Sequence, residues 1–517
     1  MRRVLPTALA VAGLAAATLA AATPAGADPP EQWRSYWVDA FNEGIYNQAQ
    51  VDDLVDDAVA INANALIVQT AQRYDCFCNR ALYPRTDRNI APEPYDPLDA
   101  IIEAAHAEGI EVHAWVNVNT MWNLAIPHSS PDHVSNAHGL TAEGRDRWVN
   151  KRADGVENIG ANVFVDPGHP DARDYIVEAI QSIVREYDVD GINLDYVRYP
   201  DNNSSISHSD WGYNDVSVAR FQAGTGRTDV PAADDTEWND WRRDQVTALV
   251  RKIYLGIWEV DPQARLSMDG ITYGFGPQSS GGWEGTRTYA EVLQDWKGWL
   301  EEGIMDTVVA MNYKRNWLPP QDQMFSEWSE VIADWQGERQ AVNGPALYLN
   351  HISDAVAQVE EILEPTAAGN VAAGWSGYSY ANPTYDTAFN GADADAERAA
   401  LTAALTAPGA PFEHEAAVPE MTWKTDPSDG HVTGTLELRD GTPLDQVEVT
   451  LRPLTGGDKA TTLSDGSGWF GFAHVESGHY LVQLDLPNGV VGQPVAYVRV
   501  KDGKISEAEF RVLIKLG

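Results

Sequence analysis

From Trp33 to about Ala407, short apolar runs alternate with longer amphipathic stretches, the rhythm of parallel strands covered by helices. The runs predict strands at Arg34–Phe41, Ala65–Thr70, Glu111–Asn117, Gly191–Val197, Arg265–Asp269, Thr307–Asn312, Ala346–Asn350 and Val371–Gly377. Helical periodicity lies between them, near 50–62, 97–108, 171–187, 238–259, 288–302, 325–336, 353–363 and 392–405. Strand–helix pairs in this number fit a closed barrel better than an open sheet, because none of the strands is charged or proline-broken as an edge strand would be. Asp96-Pro97-Leu98 opens the second helix with an N-cap and a proline at its first position, and Gly109 suits its left-handed end. The stretch from Met121 to Val165 is too long for a structureless loop and reads as an excursion on the active face with a small hairpin.

Past residue 407 the pattern changes. Pro408, Pro411 and Pro419, with scattered acids and alanines, make 408–428 a linker. From His431 the period is two: Val432, Gly434, Leu436 and Leu438, then Val447, Val449 and Leu451. Turn signals at Asp440-Gly441, Asp465-Gly466 and Asn488-Gly489 make 429–517 a small antiparallel sandwich of about seven strands. The expected fold is α/β: a (β/α)₈ TIM barrel over 31–407 followed by an all-β sandwich.

The first residues are Met1-Arg2-Arg3, an Ala/Leu/Val run to about Ala22, and the A-x-A site Ala25-Gly26-Ala27. This is a secretory signal peptide over 1–27. The run is barely long enough to span a bilayer and the cleavage site argues against an anchor, so no membrane span is expected. The expected destination is outside the cell, released or loosely associated with the wall. With 36 Lys and Arg against 76 Asp and Glu, the formal charge is −40. Such a field repels nucleic acid and anionic membranes; it suits solubility in a salty or alkaline medium, the favoured reading, or more specifically a neutral or cationic substrate.

The two cysteines, Cys76 and Cys78, could close a tight C-x-C disulfide in an oxidising compartment or remain free thiols; either way they shape a loop. They are too few for a zinc site, and no histidine lies at ligand spacing. A Gly-rich phosphate loop, a G-x-S-x-G elbow and an H-E-x-x-H helix are all missing, which sets aside nucleotide enzymes, serine hydrolases and zincins. No metal or cofactor is expected.

The chemistry concentrates in Asp190-Gly-Ile-Asn-Leu-Asp-Tyr-Val-Arg-Tyr-Pro200. Asp195 and Arg198 stand where the apolar run stops, and charges there are costly to bury without a purpose. The carboxyl end of a barrel strand is where active sites are built. Two carboxyl groups in different environments are what glycosidic hydrolysis needs, one ionised and one protonated. Asp195 is the first candidate, with Arg198 and Tyr199 to hold its charge; the plain alternative is a pair that closes the barrel top. Asp190 starts the strand and reads as a cap. The partner is Asp269, at the next strand end, or else Glu284 in the loop Gly281-Gly-Trp-Glu-Gly285, with a turn cap and a solvated loop acid as the plain alternatives.

Sugar-recognising types recur at other strand ends: His113, Trp115 and Asn117; Asn312, Tyr313 and Lys314; Asn350 and His351; Trp375 and Tyr378. Aromatic rings take sugar C–H faces while amides, imidazoles and amines bond hydroxyls. Each alone is equally a packing residue; their joint placement points to an oligo- or polysaccharide.

Pro97-Leu-Asp-Ala, Ala105-His-Ala-Glu-Gly-Ile-Glu-Val-His-Ala-Trp-Val-Asn117, Asp166-Pro-Gly-His-Pro170, Asp190–Pro200 and Met311-Asn-Tyr-Lys314 together resemble the bacterial glycosyl-hydrolase-like family 10, over roughly 33–390. The resemblance implies a barrel acting on glycans, in some members those of the cell wall. The fourth-strand signature is also similar to the α-amylase group, whose nucleophile maps onto Asp195. Chitinase-type barrels carry a catalytic Glu two residues further on, where this chain has Val197, so their substrate-assisted mechanism is not implied. Cys76-Phe-Cys78 departs from the family pattern, and Asp269 belongs to no family motif. The C-terminal part, with Asp465-Gly-Ser-Gly-Trp-Phe-Gly-Phe472 and Gly478-His-Tyr480, resembles the carboxypeptidase-regulatory-like sandwich, which implies a spacer or weak binding module. The expected function is a secreted, endo-acting, retaining glycoside hydrolase; the alternatives are a non-catalytic glycan-binding protein on a degenerate barrel and a surface adhesin.

Overall fold

In the computed structural model, which describes residues 30–86, 88–126, 130–508 and 510–514, eight parallel strands close a barrel. They are β1 (Trp33–Val38), β2 (Ala65–Ala71), β3 (Glu111–Asn117), β4 (Gly191–Asp195), β5 (Arg265–Ile271), β6 (Thr307–Asn312), β7 (Gln340–Pro345) and β8 (Gly374–Tyr378). Each lies beside its neighbour in sequence, and β1 pairs with β8. The covering helices are α1 (Gln48–Ala60), α2 (Pro97–Ala107), α3 (Pro170–Glu186), α4 (Thr236–Val260), α5 (Trp296–Glu302), α6 (Pro319–Asp334), α7 (Ile352–Leu363) and α8 (Ala394–Thr406). The leader over 1–27 lies outside the described residues. Among the described residues no helix is long and apolar enough to cross a membrane.

The alternation of strand side chains separates two cores. Tyr36, Leu66, Val68, Val112, Ile192, Leu194, Leu266, Met268 and Val308 point outward and join the helices in one large cluster. Trp33, Trp37, Ala65, Ile67, Trp115, Val309 and Val342 fill the barrel interior as another. The period of two on each strand decides the division. At the start of α2, Asp96 accepts from Asp99 N at 3.5 Å and Pro97 takes the first turn, while Leu98, Ile101, Ile102 and Ala105 are buried.

Three sequence expectations need correction. The seventh strand is Gln340–Pro345, not Ala346–Asn350, whose centre is a single tight turn at Leu347–Leu349. Polar Gln340 and Asn343 hide that strand from a hydrophobicity pattern; Asn343 donates to Ser329 Oγ at 2.8 Å and Gln340 to Glu420 O at 3.0 Å. The sandwich has nine strands among the described residues instead of about seven: a three-stranded sheet around Asp429–Thr435, a four-stranded sheet around Glu448–Pro453 and Gly478–Leu484, and a two-stranded antiparallel sheet of Val490–Gln493 with Arg511–Ile514. Val432, Leu451, Phe470, Val482 and Val498 form its core. It sits on α4 through Tyr254–His474 at 2.9 Å and Lys252–Ser467 at 2.9 Å.

The third correction concerns 408–428. From His414 onward it is a strap laid across the amino-terminal end of the barrel. Arg34 donates to His414 O at 2.6 Å, Asn64 to Ala416 O at 2.9 Å and Arg265 to Pro419 O at 2.9 Å. At its end, buried Lys424 pairs with buried Asp306 at 2.9 Å, and Trp423 Nε1 donates to the same carboxylate at 2.7 Å. All four barrel partners stand at or just before strand starts, so the strap closes the floor.

The excursion after β3 carries the expected hairpin. Thr120–Asn123, Asn158–Ile159 and Asn162–Phe164 form a small sheet on the carboxyl end of the barrel.

Candidate active site

A cleft of about 580 Å³ opens at the carboxyl ends of the strands, and both Asp195 and Asp269 line it. Asn117 on β3 is level with Asp195 on β4, and Leu194 is level with Met268, so Asp195 and Asp269 stand one step further on adjacent strands.

Asp195 Oδ1 accepts from Tyr196 N at 2.6 Å and from an Arg198 guanidinium nitrogen at 3.0 Å. The chain reaches this arrangement because Tyr196 takes a left-handed backbone, φ 52°. That conformation costs a non-glycine residue about 1 kcal/mol or more and turns Arg198 back over the strand end. The guanidinium lies 4.2 Å from the centre of the Tyr196 ring. Burial is the largest single influence and disfavours its charge, but Asp195 together with Tyr273 and Tyr196 holds Arg198 above the ordinary arginine range.

Asp269 has different company. Its Oδ1 accepts from Trp37 Nε1 at 3.0 Å and from Asn193 Nδ2 at 2.9 Å. Asn193 is itself fixed by Ser267, whose hydroxyl donates to Asn193 Oδ1 at 2.9 Å. Burial and then the Asp195 charge push the Asp269 pKa well above the usual carboxylate range; the two hydrogen bonds oppose this and are the smaller effect. One cleft thus holds a carboxylate paired to an arginine beside a carboxyl group whose proton is held more tightly than usual, the separation of environments that acid–base catalysis uses.

The surrounding wall is aromatic and amide-rich. Trp115 Nε1 donates to Asn117 Oδ1 at 2.9 Å, and Asn117 Nδ2 donates to Gln72 O at 3.1 Å. Tyr313 stacks on Tyr378 with ring centres 5.2 Å apart and meets Trp37 edge-on at 6.3 Å. Lys314 donates from Nζ to Thr272 O at 2.8 Å, and burial lowers its pKa to about 7. Cys76 and Cys78 are joined by a disulfide, with Cα atoms 5.0 Å apart. It lies in the loop after β2 that brings Arg73 to the cleft. Among the described residues no group of three or more His, Cys, Asp or Glu is placed to hold a metal ion.

Of the residues singled out from the sequence, Asp195, Asp269, Trp115, Asn117, Arg198, Tyr313, Lys314 and Tyr378 come together in the cleft. Five do not. Glu284 is exposed on a turn outside it, because neighbouring Trp283 packs against Trp296 at 4.9 Å and Trp335 at 5.6 Å instead of folding over the site. His113 is on the inward face but deep, 4.8 Å from Trp33 and 3.0 Å from Glu111 Oε2. Asn312 points outward and donates to Phe325 O of α6 at 3.1 Å. Asn350 is buried in the turn after β7, donating to Lys314 O at 2.9 Å. Trp375 also points outward, toward Tyr36 at 5.6 Å and Phe412 at 5.3 Å. Asp190 is the cap it was expected to be, accepting from Val112 N at 2.7 Å at the barrel's amino-terminal end.

The sequence pattern missed Trp37, Gln69, Arg73, Tyr196, Tyr273, Arg315 and Tyr348, which also line the cleft. Inward parity on β1 and β2 was a usable signal for Trp37 and Gln69; the others lie on loops, where no period applies.

Residues 32–356 match the family model described as glycosyl hydrolase-like 10. Glycosyl hydrolase YngK of Bacillus subtilis (strain 168) is 26% identical over 299 residues, which cover 54% of this chain and 51% of that protein. Glycosyl hydrolase DigH of Escherichia coli (strain K12) is 23% identical over 285 residues, covering 52% and 58%. The chain therefore spans little more than half the length of these relatives. The glycoside hydrolase domain of PgaB (BpsB) from Bordetella bronchiseptica aligns in structure with 71% of this chain and 98% of its own, at 16% identity and a TM-score of 0.49.

Proposed function

The chain belongs to the glycosyl hydrolase-like 10 family, and from the acids in its cleft we propose that it hydrolyses glycosidic bonds within a polysaccharide, with retention of configuration. The observation that carries this is the unequal pair: Asp195 bound to Arg198, and Asp269 driven to hold its proton by burial and by Asp195. Asp195 Oδ2 attacks the anomeric carbon as the bond to the leaving oxygen breaks. Asp269 gives that oxygen its proton. A water then enters, Asp269 takes one of its protons, the resulting hydroxyl bonds to the anomeric carbon, and the Asp195 ester bond breaks. Both acids return to their starting states.

Retention is the outcome favoured by the register. Neighbouring strands lie about 4.8 Å apart, and the two acids stand one step beyond a paired position on adjacent strands. That suits the roughly 5 Å carboxyl separation of retaining enzymes better than the wider gap that inversion needs for a water. The predicted leader adds export to the proposal, with a mature chain that begins at Asp28.

The test is turnover of wall glycans, α-glucans and arabinans by the purified protein, with product anomers followed by NMR. Asp195→Asn and Asp269→Asn should each lower kcat by about 10²-fold or more while glycan affinity persists. Affinity without turnover in the wild type would replace this proposal with a glycan-binding role, and first-formed products of inverted configuration would remove Asp195 as nucleophile.

A further inference from the structure

Four large aromatic rings are exposed among the described residues: Phe41 (58%), Trp317 (44%), Phe389 (54%) and Tyr497 (57%). Tyr497 belongs to the sandwich; the other three stand on the catalytic end of the barrel. Phe41 follows β1, Trp317 follows β6, and Phe389 lies on the short helix Tyr385–Asn390 after β8. Strands β6, β7, β8 and β1 are consecutive around the ring, whereas the two acids stand on β4 and β5. The exposed rings therefore gather on one side of the mouth, away from β4.

Trp317 and its neighbours are fixed in place. Trp317 Nε1 donates to Leu349 O at 3.3 Å, and Tyr385 meets its ring edge-on at 6.1 Å. Phe389 packs on Tyr385 at 4.7 Å, and His351 on Tyr385 at 5.0 Å. His351 Nδ1 lies 2.9 Å from Asp386. This surface continues the cleft without a break in the chain: Arg315 and Tyr348 line the cleft, and Trp317 and Leu349 follow them by two residues and one.

We propose that Trp317, Tyr385 and Phe389 form a distal subsite for a neutral sugar ring of the same glycan chain that is cut in the cleft. A sugar ring offers an apolar C–H face edged by hydroxyls. An indole held rigid by its own hydrogen bond takes such a face with little loss of side-chain entropy. Arg315, His351 and Asp386 stand beside it with donors and acceptors for the rim. Leaving indole and phenyl surface in water is unfavourable, and a ligand that covers it recovers that cost. The inference rests on the glycosidase proposal and extends it: a chain gripped on the β6–β8 side of the acids is cut internally, a fixed number of residues from the grip.

The test uses oligosaccharides of graded length prepared from wall glycan, amylose and arabinan, titrated by calorimetry onto the Asp269→Asn protein with and without Trp317→Ala. Phe389→Ala is the second variant and Tyr497→Ala the control. For the glycan that binds, affinity should grow with length in the parent. Trp317→Ala should weaken the long members about tenfold and leave the shortest unaltered, and Phe389→Ala should act in the same direction. Equal affinities at every length, an effect matched by Tyr497→Ala, or no binding of any glycan by the parent would overturn the subsite. Wild-type turnover is read separately: cleavage together with a length-independent Trp317→Ala refutes the subsite alone, and binding without cleavage refutes the glycosidase proposal alone.

Discussion

Replacing Lys314 by methionine should stabilise this protein, and should do so most at acidic and neutral pH. The ammonium is buried in the cleft wall and its hydrogen bonds go to Thr272 alone, at 2.8 Å to the carbonyl and 3.4 Å to the hydroxyl. Burial lowers its pKa from 10.5 to about 7. The folded protein thus holds this proton less tightly than the unfolded chain does. Below pH 7 both states are charged and the full cost of burial is present. Between 7 and 10.5 the unfolded chain binds a proton that the folded one has lost, so stability rises with pH; above 10.5 the cost is gone. A fall of that size corresponds to about 5 kcal/mol at pH 6 and about 2 kcal/mol at pH 9. Methionine keeps the apolar stem but forfeits the bonds to Thr272, about 1 kcal/mol at either pH. The expected net gain is about 4 kcal/mol at pH 6 and about 1 kcal/mol at pH 9. Urea unfolding of both proteins at the two pH values, followed by tryptophan fluorescence, measures it. An equal gain at both pH values would refute a lysine that titrates near neutrality, and a loss at pH 6 would show that its charge is wanted in the fold.

Trp37→Phe removes a donor that lowers the Asp269 pKa, so Asp269 should stay protonated to higher pH and the basic limb of kcat/KM should move up by about one pH unit; a downward move in the pH–rate profile would exclude Asp269 as the acid. Lys424→Met strands the buried Asp306 carboxylate and should cost about 3–5 kcal/mol in urea unfolding, while adding Asp306→Asn should restore most of it; an unchanged midpoint for the single variant would mean the strap does not hold the floor. Removal of residues after 428 should leave a barrel with its floor closed, whereas removal after 408 also takes the partners of Arg265 and Asp306 and should unfold at lower temperature; equal melting of the two truncations would contradict this.

Much of the barrel was legible because period two and period 3.6 are written into the buried faces. Seven of its eight strands were found. The remaining one, β7, was missed for a physical reason: Gln340 and Asn343 are buried amides with partners elsewhere in the fold, and a hydrophobicity pattern cannot see a hydrogen bond. The site was legible where one strand end carried its own signal, as at Asp195 and Arg198. It was less so where parity decides. Asn312 and Tyr313 are adjacent, yet one bonds α6 and the other lines the cleft, and a shift of one position exchanges them. The same rule turns Trp375 out and Tyr378 in. The prolines of 408–428 suggested a linker, but Trp423 was the better signal, since an indole does not suit a solvated spacer.

The strap also bears on how this chain can be recombined. A carboxyl-terminal sandwich is ordinarily a cassette, exchangeable between enzymes at the join. Here the last turn before the join belongs to the barrel: Lys424 and Trp423 serve Asp306, and the sandwich begins five residues after Lys424, at Asp429. A graft that replaces the chain from 408 would carry away the keystone of the host. The seam for a transplant lies between 425 and 429, and any barrel offered this sandwich must either bring its own floor or accept this one with it.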